Sequence, residues 1–194
     1  MEIWVAVARS GDPVKQGFGR FFGYNCQRQA HNYFCSGGFR GIKRDLYEGG
    51  IRVPMIAYWP AVIKKKKTSA QTAAFWDFFP TFAEMAAQST TSSARDGISL
   101  LPTLRSVGKQ RQHDDLYWEF HEDGGSQAVR MGSWKAIRLD VLKNPDGPIR
   151  LFDPSKDPQE KNDVSAQNSG VTKKMRQIMK KEHVENKNFP FIKD

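Results

Sequence analysis

The sequence predicts an α/β fold in two parts, a strand-and-helix unit followed by an antiparallel sheet closed by a helix. Three observations carry that reading. Ile51 to Trp59 is a nearly continuous apolar run bounded by Gly49-Gly50 and Pro60, the pattern of a strand buried on both faces. Leu116 to His121, Gln127 to Met131, Trp134 to Leu139 and Ile149 to Phe152 are short strand-forming segments. Gly124-Gly125, Gly132-Ser133 and Asn144-Pro145-Asp146-Gly147 punctuate them, as in an antiparallel meander. Finally, Val171, Met175, Ile178 and Met179 fall at i, i+4, i+7 and i+8 with lysines opposite, which predicts a helix from about Ser169 to Val184.

Each element has its own local reason. Residues 11 to 42 are rich in glycine and aromatic rings without a clean period, so they read as loops that bury rings against something else. Pro54 has no backbone donor and must stand at the start of the 51–59 strand or at a bulge. Ser69 to Gln88 contains good helix formers, with Pro80 implying a kink or a fresh start. Ser89 to Ser93 is a polar linker, and a domain boundary falls between about 95 and 110. The C-terminal helix should lay its apolar stripe on the sheet containing Trp118 and Trp134.

Composition removes several classes. With 39% apolar and 26% charged residues, wholesale disorder is excluded. No apolar run reaches the ~20 residues that span a bilayer. Two cysteines, Cys26 and Cys35, are too few for a disulfide scaffold or a four-cysteine zinc site. The net charge of +9 lies mostly in Lys64-Lys65-Lys66-Lys67 and in the basic residues after Val171. No interleaved aromatics and no nucleic-acid-binding motif accompany them, so they read as solvated surface and no nucleic acid partner is expected. Met1 to Ser10 lacks the basic start and long apolar core of a secretory signal, so the default compartment is the cytoplasm.

The histidines offer little. His31, His113, His121 and His183 form no metal-ligand spacing, and no P-loop, nucleophile elbow or dinucleotide fingerprint exists. His113-Asp114-Asp115 reads as a solvated turn, and His121-Glu122-Asp123 as a loop or a polar contact at a strand end.

The informative block is Gly41-Ile42-Lys43-Arg44-Asp45-Leu46-Tyr47-Glu48-Gly49-Gly50-Ile51-Arg52-Val53-Pro54. It places a lysine beside an aromatic-acid-diglycine turn that feeds the apolar run, at a strand end where ligands gather in α/β sheets. This block strongly resembles the sulfatase family, arylsulfatase type. Trp59-Pro60, Asp77 with Pro80-Thr81, Asp96-Gly97 with Leu100, Tyr117-Trp118-Glu119 and Gln127-Ala128-Val129-Arg130 are similar to its next landmarks. So are Gly132, Trp134-Lys135, Leu151-Phe152-Asp153 and Asp157-Pro158-Gln159-Glu160, so that residues 36 to 184 are covered almost continuously. Gly17-Phe18, Phe21-Phe22-Gly23-Tyr24, Gln27 and Ala30-His31-Asn32-Tyr33 resemble a segment that lies much further upstream in the family.

The resemblance implies an alkaline-phosphatase-like α/β fold and a parent activity of sulfate ester hydrolysis. It divides the chain into 1–110, a remnant of the α/β catalytic domain, and 111–194, a C-terminal antiparallel subdomain with a terminal helix. The family's nucleophile is a cysteine converted to formylglycine within Cys-x-Pro/Ala-x-Arg, and neither Cys26 nor Cys35 stands in that motif. Calcium or magnesium serves full-length members, held by an Asp-Asp and an Asp-Asn pair. Asp114-Asp115 and Asn162-Asp163 lie in the wrong context or order, and no metal or other cofactor is expected in this chain. The expected form is therefore a truncated sulfatase, inactive alone, in a family whose members are often exported. Lys43 alone transfers as a site residue, matching the lysine that contacts the sulfate group. The family implies a sulfate ester or sulfated glycan as ligand; the chain alone is expected to self-associate through its apolar strand. The rival reading is a non-catalytic module that binds anions or an acidic partner through the lysine patches.

Overall fold

The computed structural model describes residues 38–63, 67–88 and 96–191. Cys26, Cys35, His31, the rings between 18 and 34, Lys64 to Lys66 and the 89–93 linker lie outside the described residues.

The centre is a four-stranded antiparallel meander in the order β1-β2-β3-β4, with β1 Leu116–Phe120, β2 Ser126–Met131, β3 Trp134–Leu139 and β4 Ile149–Phe152. These are the segments that alternation and turn residues predict. Met131 pairs with Trp134, so the β2–β3 connection is two residues long. Gly132 takes its first position at φ +58°, a left-handed conformation that matches the strand twist at little cost for glycine.

Strand pleating gives the sheet two different faces. On one, Val129, Ala136, Ile149 and Leu151 meet the buried Met175 and Met179 of a helix, Ser169–Glu182, with Val171, Ile178, Tyr117 and Trp134 around them. Lys180 and Lys181 in its last turn complement the helix dipole. On the other face, Ala128, Ile137 and Phe152 are covered by Leu46 and Tyr47, with Trp118, Phe120 and Leu139 alongside. The helix thus packs on the sheet that contains both tryptophans, as expected, with Trp134 beneath it and Trp118 elsewhere. Trp118 points to the opposite face, where its ring sits 5.9 Å from Trp76, because adjacent strand residues project to opposite sides.

In chain order the helices are α1 Glu48–Ile51, α2 Phe78–Met85, α3 Leu101–Arg105 and α4 Ser169–Glu182, with a 3-10 turn at Phe75–Asp77 leading into α2. The expected helix over 69–88 is thus shorter, and Pro80 sits in its first turn, where no backbone donor is required.

Ile51 to Trp59 departs from expectation. Ile51 closes the single turn of α1, and 52–59 has no strand pairing among the described residues. Ile56 and Tyr58 are 94% and 87% exposed. A strand buried on both faces needs a hydrogen-bonding neighbour on each edge and a layer on each side, and the described residues supply neither. No described helix is long and apolar enough to cross a membrane.

Candidate functional site

Lys43 is exposed on the loop that runs from Arg40 into α1. That loop is tightly folded. Asp45 accepts a hydrogen bond on Oδ2 from the Ile42 amide (2.8 Å), and the Gly49 amide donates to the Arg40 carbonyl (2.6 Å). The diglycine has a steric reason at its second position. A Cβ on Gly50 would stand 2.0 Å from the Asp45 carbonyl oxygen and 2.7 Å from that of Ile42. Only glycine lets the Lys43 loop lie directly on α1. Arg44 takes φ +82°, rare for a residue with a side chain, and its guanidinium lies 3.3 Å from Glu122.

Beneath the loop lies a buried ionic cluster. Arg130 and Lys135 stand opposite each other on β2 and β3, on the face covered by Tyr47. Glu48 of α1 reaches both. Its Oε1 is 3.0 Å from Lys135 Nζ and its Oε2 is 3.5 Å from Arg130 and 3.6 Å from Arg52. Lys135 also meets Glu160 Oε1 at 3.1 Å, and Glu160 Oε2 accepts the Glu48 amide at 2.6 Å. Lys135 and Glu160 have no solvent exposure and Glu48 has 1%. Burial pushes the Glu160 carboxyl above its ordinary value, against the pull of the Lys135 ammonium.

Two arginines complete the mount. Arg40 donates to the Glu160 carbonyl (2.8 Å) and lies 3.9 Å over the Tyr47 ring. Arg150 donates to the Tyr47 hydroxyl at 3.0 Å. The sequence shows Tyr47, Glu48, Lys135 and Glu160 as family landmarks, but gives no sign that they touch. A lysine in a strand ordinarily reads as solvent-facing; the only available signal was that the residues of both sheet faces around it are apolar.

A second polar node ties the 3-10 turn and α2 to the segments that lead into α3 and β1. Asp77, fully buried, accepts the Ala74 amide (2.8 Å), the Ile98 amide (2.9 Å) and His113 Nε2 at 2.9 and 3.0 Å from its two oxygens. His113 is therefore a packed partner of Asp77 and not part of a solvated turn. Thr81 extends the node, donating to the Asp77 carbonyl (2.6 Å) and accepting the Leu100 amide (2.9 Å).

Among the described residues, no group of three or more His, Cys, Asp or Glu side chains is arranged to hold a metal ion. Asp163 accepts the amides of Leu151 and Ser165 at 3.1 and 2.9 Å, and Asp157 accepts the Asn162 amide at 2.7 Å. These carboxylates terminate local turns and do not fit a divalent cation.

Comparison with known proteins supplies the frame for this geometry. The family profile described as N-sulphoglucosamine sulphohydrolase, C-terminal, matches residues 38–187. The chain belongs to the sulfatase family. Arylsulfatase A of Homo sapiens is 31% identical over 165 residues, covering 75% of this chain and 32% of that protein. Arylsulfatase A of Bos taurus is 32% identical over 145 residues, covering 65% and 28% respectively. Among solved structures, Ps i-CgsB superposes with a TM-score of 0.59 at 30% identity, covering 70% of this chain and 29% of the other. The chain thus spans about a third or less of the length of these relatives. The fold class is the alkaline-phosphatase-like α/β class of the family, here with a four-stranded antiparallel sheet. Membership implies metal use in full-length sulfatases, and the described residues of this sulfatase chain do not fit that ion.

Proposed function

We propose that this chain supplies the C-terminal part of a sulfuric ester hydrolase and that Lys43 is its contact to the sulfate group. The single observation that supports this most is the mounting of the Lys43 loop. Gly50 seats it on α1, and the Glu48–Lys135–Glu160 cluster fastens α1 to the sheet. A cation on a rigid base lowers the barrier to S–O cleavage, because it meets developing negative charge on the sulfate oxygens without reorganising. In this reading residues 1–110 are a remnant of the catalytic domain and 111–194 are the C-terminal antiparallel subdomain. The nucleophile and the divalent ion of full-length members, calcium or magnesium, belong to parts of the fold other than the described residues.

Sulfated glycans are the favoured substrate class. A relative from Bacteroides thetaiotaomicron, 28% identical over 157 residues, is an N-acetylgalactosamine-6-O-sulfatase. Ps i-CgsB has also been solved in complex with k-i-k-neocarrahexaose. The exposed 53–58 run further supports self-association of this chain on its own.

The test is titration of the full chain with a sulfated galactosamine saccharide, read by NMR shifts. Lys43→Ala should weaken binding about tenfold or more, the loss of one charged hydrogen bond. Neutralising Lys64 to Lys67 should leave binding unchanged at moderate salt. The reverse pattern would favour the anion-binding module built on the lysine patches. The chain alone should not hydrolyse a chromogenic aryl sulfate, and turnover abolished by Lys43→Ala would overturn that part.

A further inference from the structure

The chain does not run free after α4. His183 caps the helix in an extended conformation (φ −65°, ψ 128°), and the following residues turn back over the β1 end of the sheet. Phe191 is 2% exposed. It stacks on His121 at 4.1 Å and 22°, and packs so closely on Gly125 that a Cβ there would stand 3.1 Å from its ring. Residues 184–191 thus form a strap across the β1–β2 turn.

The strap is tied at its root by one imidazole. His183 Nδ1 lies 2.5 Å from Glu119 Oε1, and Nε2 lies 3.0 Å from Glu185 Oε2. An ionised carboxylate only accepts hydrogen bonds, so both ring nitrogens must donate, which only the imidazolium can do. We infer that the root of the strap is a pH-operated latch, tight while His183 is protonated on both nitrogens between Glu119 and Glu185 and loosened once it becomes neutral.

The surroundings set the sign. From β1, Glu119 faces His183 directly, and Tyr117 donates its hydroxyl to the same Glu119 oxygen. His121, just beyond β1, lies 3.4 Å from the other Glu119 oxygen. From β2 and β3, Gln127 donates to Tyr117 (2.7 Å) and is itself held by Arg138 (3.1 Å). From α4 come Glu182, paired with Lys181, and across from them Asp115; from the strap comes Glu185. Partial burial works to lower the His183 pKa, but the hydrogen bonds and charges of Glu119 and Glu185 prevail and raise it above 6.5. Burial pushes the Tyr117 hydroxyl up as well, so it remains a donor to Glu119 throughout.

A histidine with a raised pKa contributes fully below its unfolded value and loses that contribution as pH rises through the folded one. Above that point a bare imidazole nitrogen faces a carboxylate oxygen. Glu119 keeps Tyr117 as a donor, whereas the strap keeps only the packing of Phe191 and at most one imidazole N–H.

The test is hydrogen exchange with mass spectrometry on the full chain, corrected for intrinsic rates, between about pH 5.5 and 8.5, the ordinary histidine range. Protection of 184–191 should fall about tenfold across that range, while β3 peptides stay unchanged. In His183→Gln protection of the strap should be low and flat with pH, and Glu119→Gln should flatten the profile too. His121→Gln should retain the fall. Wild-type protection that ignores pH, or a fall that survives in His183→Gln, would overturn the latch.

Discussion

Replacing Lys135 by methionine tests the ionic mount most directly. The side chain is fully buried and its ammonium stands 3.0 Å from Glu48 and 3.1 Å from Glu160. Methionine fills a similar volume, so the cavity contribution is small and the electrostatic one dominates. Two carboxylates then face each other, with Arg130 at 3.5 Å and the half-exposed Arg52 at 3.6 Å reaching only Glu48. Removing one partner from a buried ion pair costs about 3–5 kcal/mol. For a domain of this size each kcal/mol lowers the melting temperature by about 2–4 °C, so the expected drop is roughly 6–20 °C. Thermal unfolding followed by tryptophan fluorescence reads it.

The pH dependence adds a second signature. Glu160 already has a raised pKa, and losing Lys135 removes the charge that pulls it down. A carboxylate with a raised folded pKa contributes stability below its unfolded value that is lost as pH rises through the folded one. The deficit of Lys135→Met should therefore shrink as the pH is lowered towards the unfolded Glu160 value of 4.5. The combined Glu48→Gln, Lys135→Met, Glu160→Gln variant should recover much of the loss. A drop under about 1 kcal/mol in the single variant, with no pH dependence, would refute the claim that this ammonium is enclosed between two charges.

Met175, with no solvent exposure under the sheet, should not tolerate a charge: Met175→Lys is expected to cost about 3 kcal/mol or more in urea unfolding, and Lys174→Glu on the exposed side about 0.5 or less. Equal effects would argue against the packing of α4. Asp77→Ala should leave the buried Ile98 amide and the half-buried Ala74 amide without acceptors, at about 1–3 kcal/mol for Ile98 and less for Ala74, and speed amide exchange at Ile98. His113→Ala, which leaves both amides paired, should cost less.

Sheet and helix were legible because their signals are local. The turns at Gly132 and Asn144 and the stripe from Val171 to Met179 are decided within a few residues, so the four strands and α4 fall where the pattern puts them. Ile51 to Trp59 departs from the strand its composition predicts because an apolar run states only that a segment prefers burial; pairing needs neighbours elsewhere in the chain. The same limit hid the mount. Lys135 and Glu48 are 87 positions apart, and Asp77 and His113 are 36 apart. Lys43 is proposed as a site residue only through the landmarks around it, since a lone lysine on a loop carries no chemical signal of its own.

The spacing of these contacts also orders assembly in time. The meander closes short loops between consecutive strands, and such contacts form early because little chain entropy is lost. Joining Glu48 to Glu160 spans 112 residues and has value only once β3 already presents Lys135. The segment bearing Lys43 precedes the sheet in the chain, yet these spacings predict that it docks after it. A change at Lys135 should then accelerate unfolding far more than it slows folding, whereas a change at Val129 or Ala136 under α4 should do the opposite.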